Sequence, residues 1–153
     1  MPSARIDIAQ SDQDIAAVKA LFIAYAEGLP IDLGFQGIEK ELETFPAKYD
    51  LLLLAKDNAE TPIGAVGLWT LEPGICEMKR LYISPVARGT GLGRHLSERL
   101  IKEARRLGFH TMKLDTLARL KTAKALYESL GFTPTEPYNY NPEPDILYYQ
   151  RRL

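Results

Sequence analysis

Apolar side chains in the first third of the chain recur first with strand spacing and then with helical spacing. Residues Arg5 to Ala9 alternate polar and apolar side chains, which predicts a short strand. The polar stretch SDQD that follows is typical of a helix N-cap, and the helix is predicted to end at Gly28. The apolar positions that define this helix are Ile15, Val18, Leu21, Phe22 and Tyr25. A second short helix is predicted from Ile38 to Phe45.

The middle of the chain has the pattern of consecutive strands. Two apolar runs, Leu51 to Asp57 and Ile63 to Leu71, flank the polar turn NAETP, and this predicts an antiparallel hairpin. A third strand is predicted from Ile75 to Ile83, after the turn at Pro73 and Gly74.

The remaining elements alternate between helix and strand. A leucine stripe predicts a helix that begins in a glycine-rich stretch and closes at Gly108. A strand is then predicted at Thr111 to Asp115, a helix at about Thr122 to Leu130, and a closing pair of strands in the tail that ends ILYYQRRL. The order β-α-α-β-β-β-α-β-α-β-β predicts one α/β (α+β) domain over residues 1–153, a mixed sheet with helices on both faces.

Composition and charge exclude several classes of function. The 153 residues are 46% apolar and carry 19 basic against 20 acidic residues, so no global charge draws the chain to nucleic acid or to an anionic membrane. One cysteine excludes an internal disulfide, and two scattered histidines do not favour a metal site. The first residues lack the apolar core of a signal peptide, and the longest aliphatic run, LLLLA, is far shorter than the ~18 residues of a membrane span. We therefore expect a cytoplasmic protein.

The stretch RGTGLGRHL, Arg88 to Leu96, carries the strongest chemical signal. The first turn of a helix has free N–H groups and the positive end of the helix dipole, and both attract phosphate. Gly89, Gly91 and Gly93 remove the side chains that would block the approach, while Arg88 adds a positive charge. A tight turn alone would explain one or two of these glycines. The pattern therefore favours binding of a pyrophosphate.

Other glycine-rich phosphate loops fit less well. A Walker loop needs Lys and then Ser or Thr after its last glycine, and this chain has Arg94 and His95 there. A dinucleotide fingerprint would use Gly89 and Gly91, with Asp115 near the ribose-binding distance, but its third glycine would fall on Arg94. A dinucleotide-binding domain remains the weaker alternative.

Two motifs together resemble the GNAT superfamily of acetyl-CoA-dependent N-acyltransferases. RGTGLG matches the pattern of Arg or Gln, two residues, Gly, one residue, then Gly or Ala, and ALYESLGF resembles the helix that carries a tyrosine before a Gly-Phe strand. The resemblance implies a mixed, mostly antiparallel central sheet of about seven strands. It also implies an acetyltransferase that uses acetyl-CoA as cosubstrate and a primary amine of a small molecule or peptide as acceptor.

The resemblance implies a coenzyme A site as well. Backbone amides from Arg88 to Arg94 would hold the pyrophosphate, and the end of the preceding strand would pair with the pantetheine arm as an added strand would. The neighbouring parallel strand would splay away to make room. The family often has an asparagine three residues before the small residue of the later helix, where this chain has Leu120. The implied cofactor-binding residues are Leu81, Tyr82, Ile83, Arg88, Gly89, Thr90, Gly91, Leu92, Gly93, Arg94 and Ala123.

Two residues are candidates for catalysis. An alkyl amine has a pKa of about 10.4, so near neutral pH a base must take its proton. Glu77 lies in the strand before the glycine loop, where relatives with a carboxylate base place it, although Lys79 on the same face would weaken it as a base. Tyr127 is predicted off the centre of an Ala123, Leu126 and Leu130 stripe, with its hydroxyl free to reach the coenzyme A sulfur. A cysteine nucleophile at Cys76 is not favoured, because the residue lies mid-strand with no local histidine.

The acceptor pocket is expected in the first helices and the C-terminal loop, as the resemblance implies. The candidate substrate-binding residues are Tyr25, Asp32, Phe35, Gln36, Tyr138 and Tyr140. Exposed loop aromatics and polar turns would explain each of them at least as well. A CoA-binding module without transferase activity is the second functional reading. The sequence leaves the oligomeric state open, a homodimer through the tail strand included.

Overall fold

The computed structural model describes residues 4–29 and 37–153. The helices are α1 (Asp12–Gly28), α2 (Ile38–Glu43), α3 (Leu92–Arg106) and α4 (Lys121–Ser129). The strands are β1 (Arg5–Ile8), β2 (Leu51–Lys56), β3 (Pro62–Glu72), β4 (Ile75–Ile83), β5 (Thr111–Leu117), β6 (Thr133–Pro134) and β7 (Ile146–Arg152). The order of elements predicted from the hydrophobic pattern is thus confirmed, with bounds that differ by a few residues.

The strands form one seven-stranded sheet in the order β1-β2-β3-β4-β5-β7-β6. Among the pairings of the described strands, β4 with β5 is parallel and the others are antiparallel. The predicted mixed, mostly antiparallel sheet is therefore confirmed. A dinucleotide-binding domain would instead require a largely parallel sheet.

Helices cover both faces of the sheet, and each face has its own apolar core. On one face, here called the α1 face, Val18 and Phe22 pack against Leu52, Leu54 and Ala65. On the opposite face, here called the α3 face, the stripe of α3 packs against the alternate residues of the same strands. None of the helices within residues 4–29 and 37–153 is long and apolar enough to cross a membrane.

Polar and glycine residues begin and end the helices as the sequence predicts. Ser11 caps α1, since its hydroxyl accepts a hydrogen bond of 3.1 Å from the Asp14 amide. Gly91, with φ +84°, stands at the N-cap of α3. Gly108 has φ +93° just beyond the end of that helix, where a left-handed residue satisfies the last carbonyls.

The central parallel pair of strands opens towards one end. β4 and β5 are paired at Ile75 with Thr111, Cys76 with Met112, and Glu77 with Lys113. Beyond Glu77 and Lys113 both strands continue, β4 to Ile83 and β5 to Leu117, without further pairing to each other. The sheet therefore contains a wedge-shaped gap, as the resemblance implied.

A bulge shifts the end of β4 at this gap. The β3–β4 register changes between Ala65 with Tyr82 and Gly67 with Lys79, so β4 holds one extra residue. Arg80 lies in the bulge with φ +60°, in the left-handed region that non-glycine residues rarely adopt. Lys79 and Arg80 consequently both point to the α1 face, and the alternation of β4 restarts after them.

Candidate active site

A cavity of about 1080 Å³ passes through the gap between β4 and β5. One end is formed by the glycine-rich stretch and the first turns of α3 and α4, and the other by Tyr25 and Gly28 of α1 and by Leu29 just beyond that helix. Met78 and Leu114 line the middle. The cavity thus connects the α3 face to the α1 face of the sheet.

The glycine-rich stretch forms an open cradle at the N-terminus of α3. Gly89 and Gly91 have φ of +78° and +84°, so their backbone conformation favours glycine. A Cβ atom at either position would meet no atom within 4 Å, which leaves the approach to the backbone open. The first hydrogen bond of the helix runs from the His95 amide to the Gly91 carbonyl, and amides before it are free of helical partners.

Positive charges surround this cradle. Arg88 and Arg94 line the cavity beside the glycines, and Lys121 begins α4 on the opposite side. Arg88 donates from Nε to the Ile83 carbonyl at 3.0 Å, and Arg94 donates to the Ser129 hydroxyl. A 15-residue helix N-terminus with open glycines and three cations fits a pyrophosphate group.

Most of the predicted cofactor-binding residues line this cavity. They are Leu81, Tyr82, Ile83, Arg88, Gly89, Gly91, Leu92, Gly93, Arg94 and Ala123. Thr90 is not among them, because its hydroxyl turns back and donates to the Ala87 carbonyl at 2.6 Å. The Ile83 carbonyl is already bonded to Arg88, which leaves the rest of the β4 end to contact an extended ligand.

Tyr127 lines the cavity from α4. It is the buried residue of α4, 8% exposed, and its ring meets Phe132 edge to face with centroids 6.0 Å apart. The predicted stripe of Ala123, Leu126 and Leu130 packs against the core but is only partly buried, and Tyr127 is more deeply buried than an off-centre position predicts. Burial raises the pKa of the Tyr127 phenol, and the nearby Tyr25 and Asp115 raise it further. The phenol is thus a stable proton donor at neutral pH.

Glu77 lies on the α1 face but does not line the cavity. It is 2% exposed, and both of its oxygens accept hydrogen bonds, from Trp69 Nε1 at 2.6 Å and from the Tyr138 hydroxyl at 2.7 Å. Lys79 Nζ lies 3.5 Å from Oε2, which is the pairing that the sequence predicted. Glu77 therefore connects β3, β4 and the C-terminal loop (residues 135–145) in one buried cluster.

The sequence profile of the acetyltransferase (GNAT) family matches residues 18–132. The chain belongs to this family. An uncharacterized N-acetyltransferase of Schizosaccharomyces pombe is 39% identical over 146 residues, covering 92% of this chain and 90% of the relative. An L-methionine sulfoximine/L-methionine sulfone acetyltransferase of Salmonella typhimurium is 35% identical over 89 residues, covering 57% of this chain and 52% of the relative.

Solved structures show the same fold. An acetyltransferase from Salmonella typhimurium, solved with acetyl-CoA, superposes with a TM-score of 0.73 at 23% identity and covers 97% of this chain, which covers 93% of that chain. The family uses acetyl-CoA, and membership of the family makes this protein an acyltransferase. The sequence resemblance to the GNAT superfamily is thereby confirmed.

On the acceptor side of this acetyltransferase, the predicted residues have different positions. Tyr25 lines the cavity, and burial raises the pKa of its phenol to about 12. Tyr138 does not line the cavity but bonds Glu77, and Tyr140 is 74% exposed. The other three candidates, Asp32, Phe35 and Gln36, lie outside the described residues.

Several cavity residues of the acetyltransferase were missed by the sequence reasoning. They are Arg80, Asp115, Arg119 and Asn141. Asp115 was considered only as a ribose ligand in the dinucleotide alternative. The sequence did carry one signal for Asp115, the polar residue that ends TMKLD. Met112 and Leu114 alternate into the core, so Asp115 is directed to the other face of the sheet. Arg119 bonds Asp145 and Glu143, and so attaches the C-terminal loop to the cavity rim.

A buried ion pair supports the β4 bulge. Arg80, 4% exposed, donates from Nε and Nη2 to the Glu41 carboxylate at 3.0 and 2.7 Å. The Tyr49 hydroxyl donates to the same carboxylate at 2.6 Å. Burial alone would raise the pKa of Glu41, but the hydrogen bond and charge of Arg80 outweigh it and hold that pKa below its usual 4.5. Helix α2 is thereby fixed to the strand that lines the cavity.

We expect Glu41→Gln to lower the free energy of unfolding by about 2 kcal/mol, since hydrogen bonds to charged groups contribute roughly that much. Urea unfolding at pH 7 measures this, with the exposed Glu43→Gln on the same helix as control. Because folding lowers the pKa of Glu41, its contribution is present above pH 4.5 and is lost as the pH falls through the folded value. The difference in the free energy of unfolding between wild type and Glu41→Gln should thus become smaller in acid. An equal difference at pH 3 and pH 7 would contradict an origin in the Glu41 charge.

Proposed function

We propose that this acetyltransferase moves the acetyl group of acetyl-CoA directly to a primary amine of a small molecule or peptide. The observation that carries the proposal is the continuous cavity from the phosphate cradle at α3, through the gap between β4 and β5, to the α1 face. A phosphate-bearing donor enters from one face and an acceptor from the other. Their reacting groups then meet inside the sheet, where water has little access.

The donor side is served by backbone groups and cations. The amides from Arg88 to Arg94 would hold the pyrophosphate, with the charges of Arg88 and Arg94 beside it. The unpaired part of β4 near Leu81 would contact the extended arm. Bound acetyl-CoA supplies the acetyl thioester, and an amide near Leu81 would polarise its carbonyl oxygen.

Tyr127 would give the leaving sulfur its proton. Its ring is held by Phe132 and its position on α4 faces the cavity. Among the described residues its hydroxyl has no hydrogen-bond partner, so its proton is available to a ligand. A phenol whose pKa is raised by burial keeps this proton until the thiolate forms.

Glu77 would serve the acceptor side in one of two ways. As the base predicted from the sequence, it would act through a proton relay, since it does not reach the cavity. Its bonds to Trp69 and Tyr138 favour a positioning role, because they tie the C-terminal loop to the sheet. The two roles predict different pH dependences of kcat/KM for a Glu77→Gln variant.

We expect purified protein to release thiol from acetyl-CoA when a suitable amine is added. The panel should contain L-methionine sulfone, spermidine, an alanyl peptide and kanamycin, and mass spectrometry of the products should show a gain of one acetyl group on nitrogen. A matched alcohol in place of each amine is the control. Binding of acetyl-CoA without release for any amine would contradict the transfer reaction and favour a CoA-binding module.

A further inference from the structure

The charges that line the cavity are distributed unevenly. Among the described lining residues five are cationic, and one, Asp115, is acidic. The cations are Arg80, Arg88, Arg94, Arg119 and Lys121. Arginines at the glycine-rich cradle suit the phosphates of the donor. An amine acceptor is itself a cation near neutral pH, and the cavity offers it one carboxylate.

Asp115 lies at the place where an acceptor would meet the donor. It follows Lys113, the last residue of β5 that pairs with β4, so it stands at the open part of the gap. Its neighbour Leu114 is 2% exposed in the core of the α3 face, and strand alternation therefore directs Asp115 to the α1 face. The carboxylate thus lies on the side opposite the phosphate cradle, where the acceptor enters.

The surroundings hold Asp115 in place without using all of its oxygens. Asn139 Nδ2 donates to Oδ2 at 2.9 Å, and the Tyr148 hydroxyl donates to Asn139 Oδ1 at 2.9 Å. Within the described residues the other oxygen, Oδ1, has no such donor. Glu77 differs, because both of its oxygens are bonded and it lies outside the cavity.

The titratable groups around Asp115 come from every element packed against it. They are Tyr25 of α1, Glu77, Lys79 and Arg80 of β4, Lys113 of β5, Tyr127 of α4, Tyr138 of the C-terminal loop and Tyr148 of β7. The negative charge of Asp115 contributes to the raised pKa of both Tyr25 and Tyr127, after burial as the larger cause. Asp115 and these two phenols all line the cavity, so the carboxylate and the hydroxyl groups share one space.

We propose that Asp115 binds the ammonium group of the acceptor and takes its proton, so that the substrate is a cationic primary amine seated between Asp115 and Tyr25. This inference rests on the proposed acetyl transfer. It assigns the acceptor end of the cavity to the Asp115 carboxylate.

The proposed steps balance in protons through Asp115 and Tyr127. The ammonium gives one proton to Asp115, which passes it to solvent, and the neutral nitrogen forms a bond to the acetyl carbon. The carbon–sulfur bond breaks, and Tyr127 gives the sulfur its proton. The second nitrogen proton then leaves through Asp115 and restores the phenol. One ammonium ion and one thioester thus yield one amide, one thiol and one proton released to solvent.

The test compares Asp115→Asn with wild type on the panel amine that has the highest kcat/KM. We expect kcat/KM at pH 7 to fall about 100-fold, in line with the loss of a general base. The remaining activity should rise about tenfold per pH unit up to the pKa of the amine, because the variant depends on amine that arrives neutral. Acetyl-CoA affinity by calorimetry should stay within twofold, which excludes misfolding as the cause.

Glu77→Gln is the matched comparison variant. It also replaces a carboxylate by an amide on the α1 face, but it does so outside the cavity. We expect its loss of kcat/KM to be the same at every pH from 7 to 10. Calorimetry adds a readout without turnover: Asp115→Asn should weaken binding of the amine to coenzyme A-loaded protein by at least tenfold, and leave binding of the matched alcohol unchanged.

Each contrary result has its own meaning. If wild type releases thiol and Asp115→Asn keeps the full kcat/KM, the assignment of Asp115 is overturned and the proposed function stands. If kcat/KM recovers at high pH in Glu77→Gln and does not recover in Asp115→Asn, the assignment of the base to Asp115 is overturned in favour of Glu77. Wild type that acetylates no amine would overturn the proposed function, and the role of Asp115 with it.

Discussion

Gly91→Glu is expected to abolish measurable binding of acetyl-CoA, a loss of at least 100-fold in affinity. Gly91 stands at the N-cap of α3 with φ +84°, and a Cβ atom there would enter the open cradle. The glutamate would place a negative charge where a pyrophosphate must sit, against the helix N-terminus that attracts it. Titration calorimetry with acetyl-CoA measures the effect.

The control for this variant is Gly108→Glu at the other end of the same helix. Gly108 has φ +93°, and a Cβ atom there would also meet nothing within 4 Å, so the backbone strain is matched. It does not line the cavity. We expect Gly108→Glu to bind acetyl-CoA within twofold of wild type. Similar affinities for the two variants would overturn the assignment of the phosphate cradle.

The second large effect is expected from Tyr127→Phe. Removing the hydroxyl should lower kcat about 100-fold, the usual scale for loss of a general acid, while the Kd for acetyl-CoA stays unchanged. The ring remains to pack against Phe132, so the fold should be preserved. Steady-state kinetics with the best panel amine, beside calorimetry, separate the two quantities.

Tyr149→Phe serves as the matched control. Tyr149 is 2% exposed and its hydroxyl donates to Glu128 at 2.9 Å, outside the cavity. This variant removes a tyrosine hydroxyl from the same side of the molecule and should keep kcat within twofold. A wild-type kcat in Tyr127→Phe would show that sulfur takes its proton from another source.

The order of elements was predictable because each segment carries its own periodic signal. The apolar run from Leu51 reflects burial on a sheet, and the leucine stripe that begins at Leu92 reflects one covered face of α3. The glycine-rich cradle was also predictable, since φ values above zero and an unobstructed helix N-terminus both demand glycine. These features depend on neighbours that are close in sequence.

The acceptor side depends on contacts between distant segments, and the sequence does not display those. Tyr138 and Tyr140 look alike as loop aromatics, yet one is bonded to Glu77 and the other is exposed. Asp115 reaches the cavity only because β5 diverges from β4, and no local pattern marks that divergence. No local sequence pattern separates Arg80 from the other residues of β4, and the ion pair with Glu41 depends on the bulge in that strand.

The short pairing between β4 and β5 also sets how the site is aligned. The cradle belongs to the part of the chain that leads out of β4, whereas Asp115 and Tyr127 belong to β5 and α4 on the other side of the gap. The distance between the cradle and Asp115 is therefore set by how far β4 and β5 diverge. A ligand bound across the gap would act as a crosslink between two halves of the sheet, so occupancy should stiffen the entire molecule and align the reacting groups in the same event.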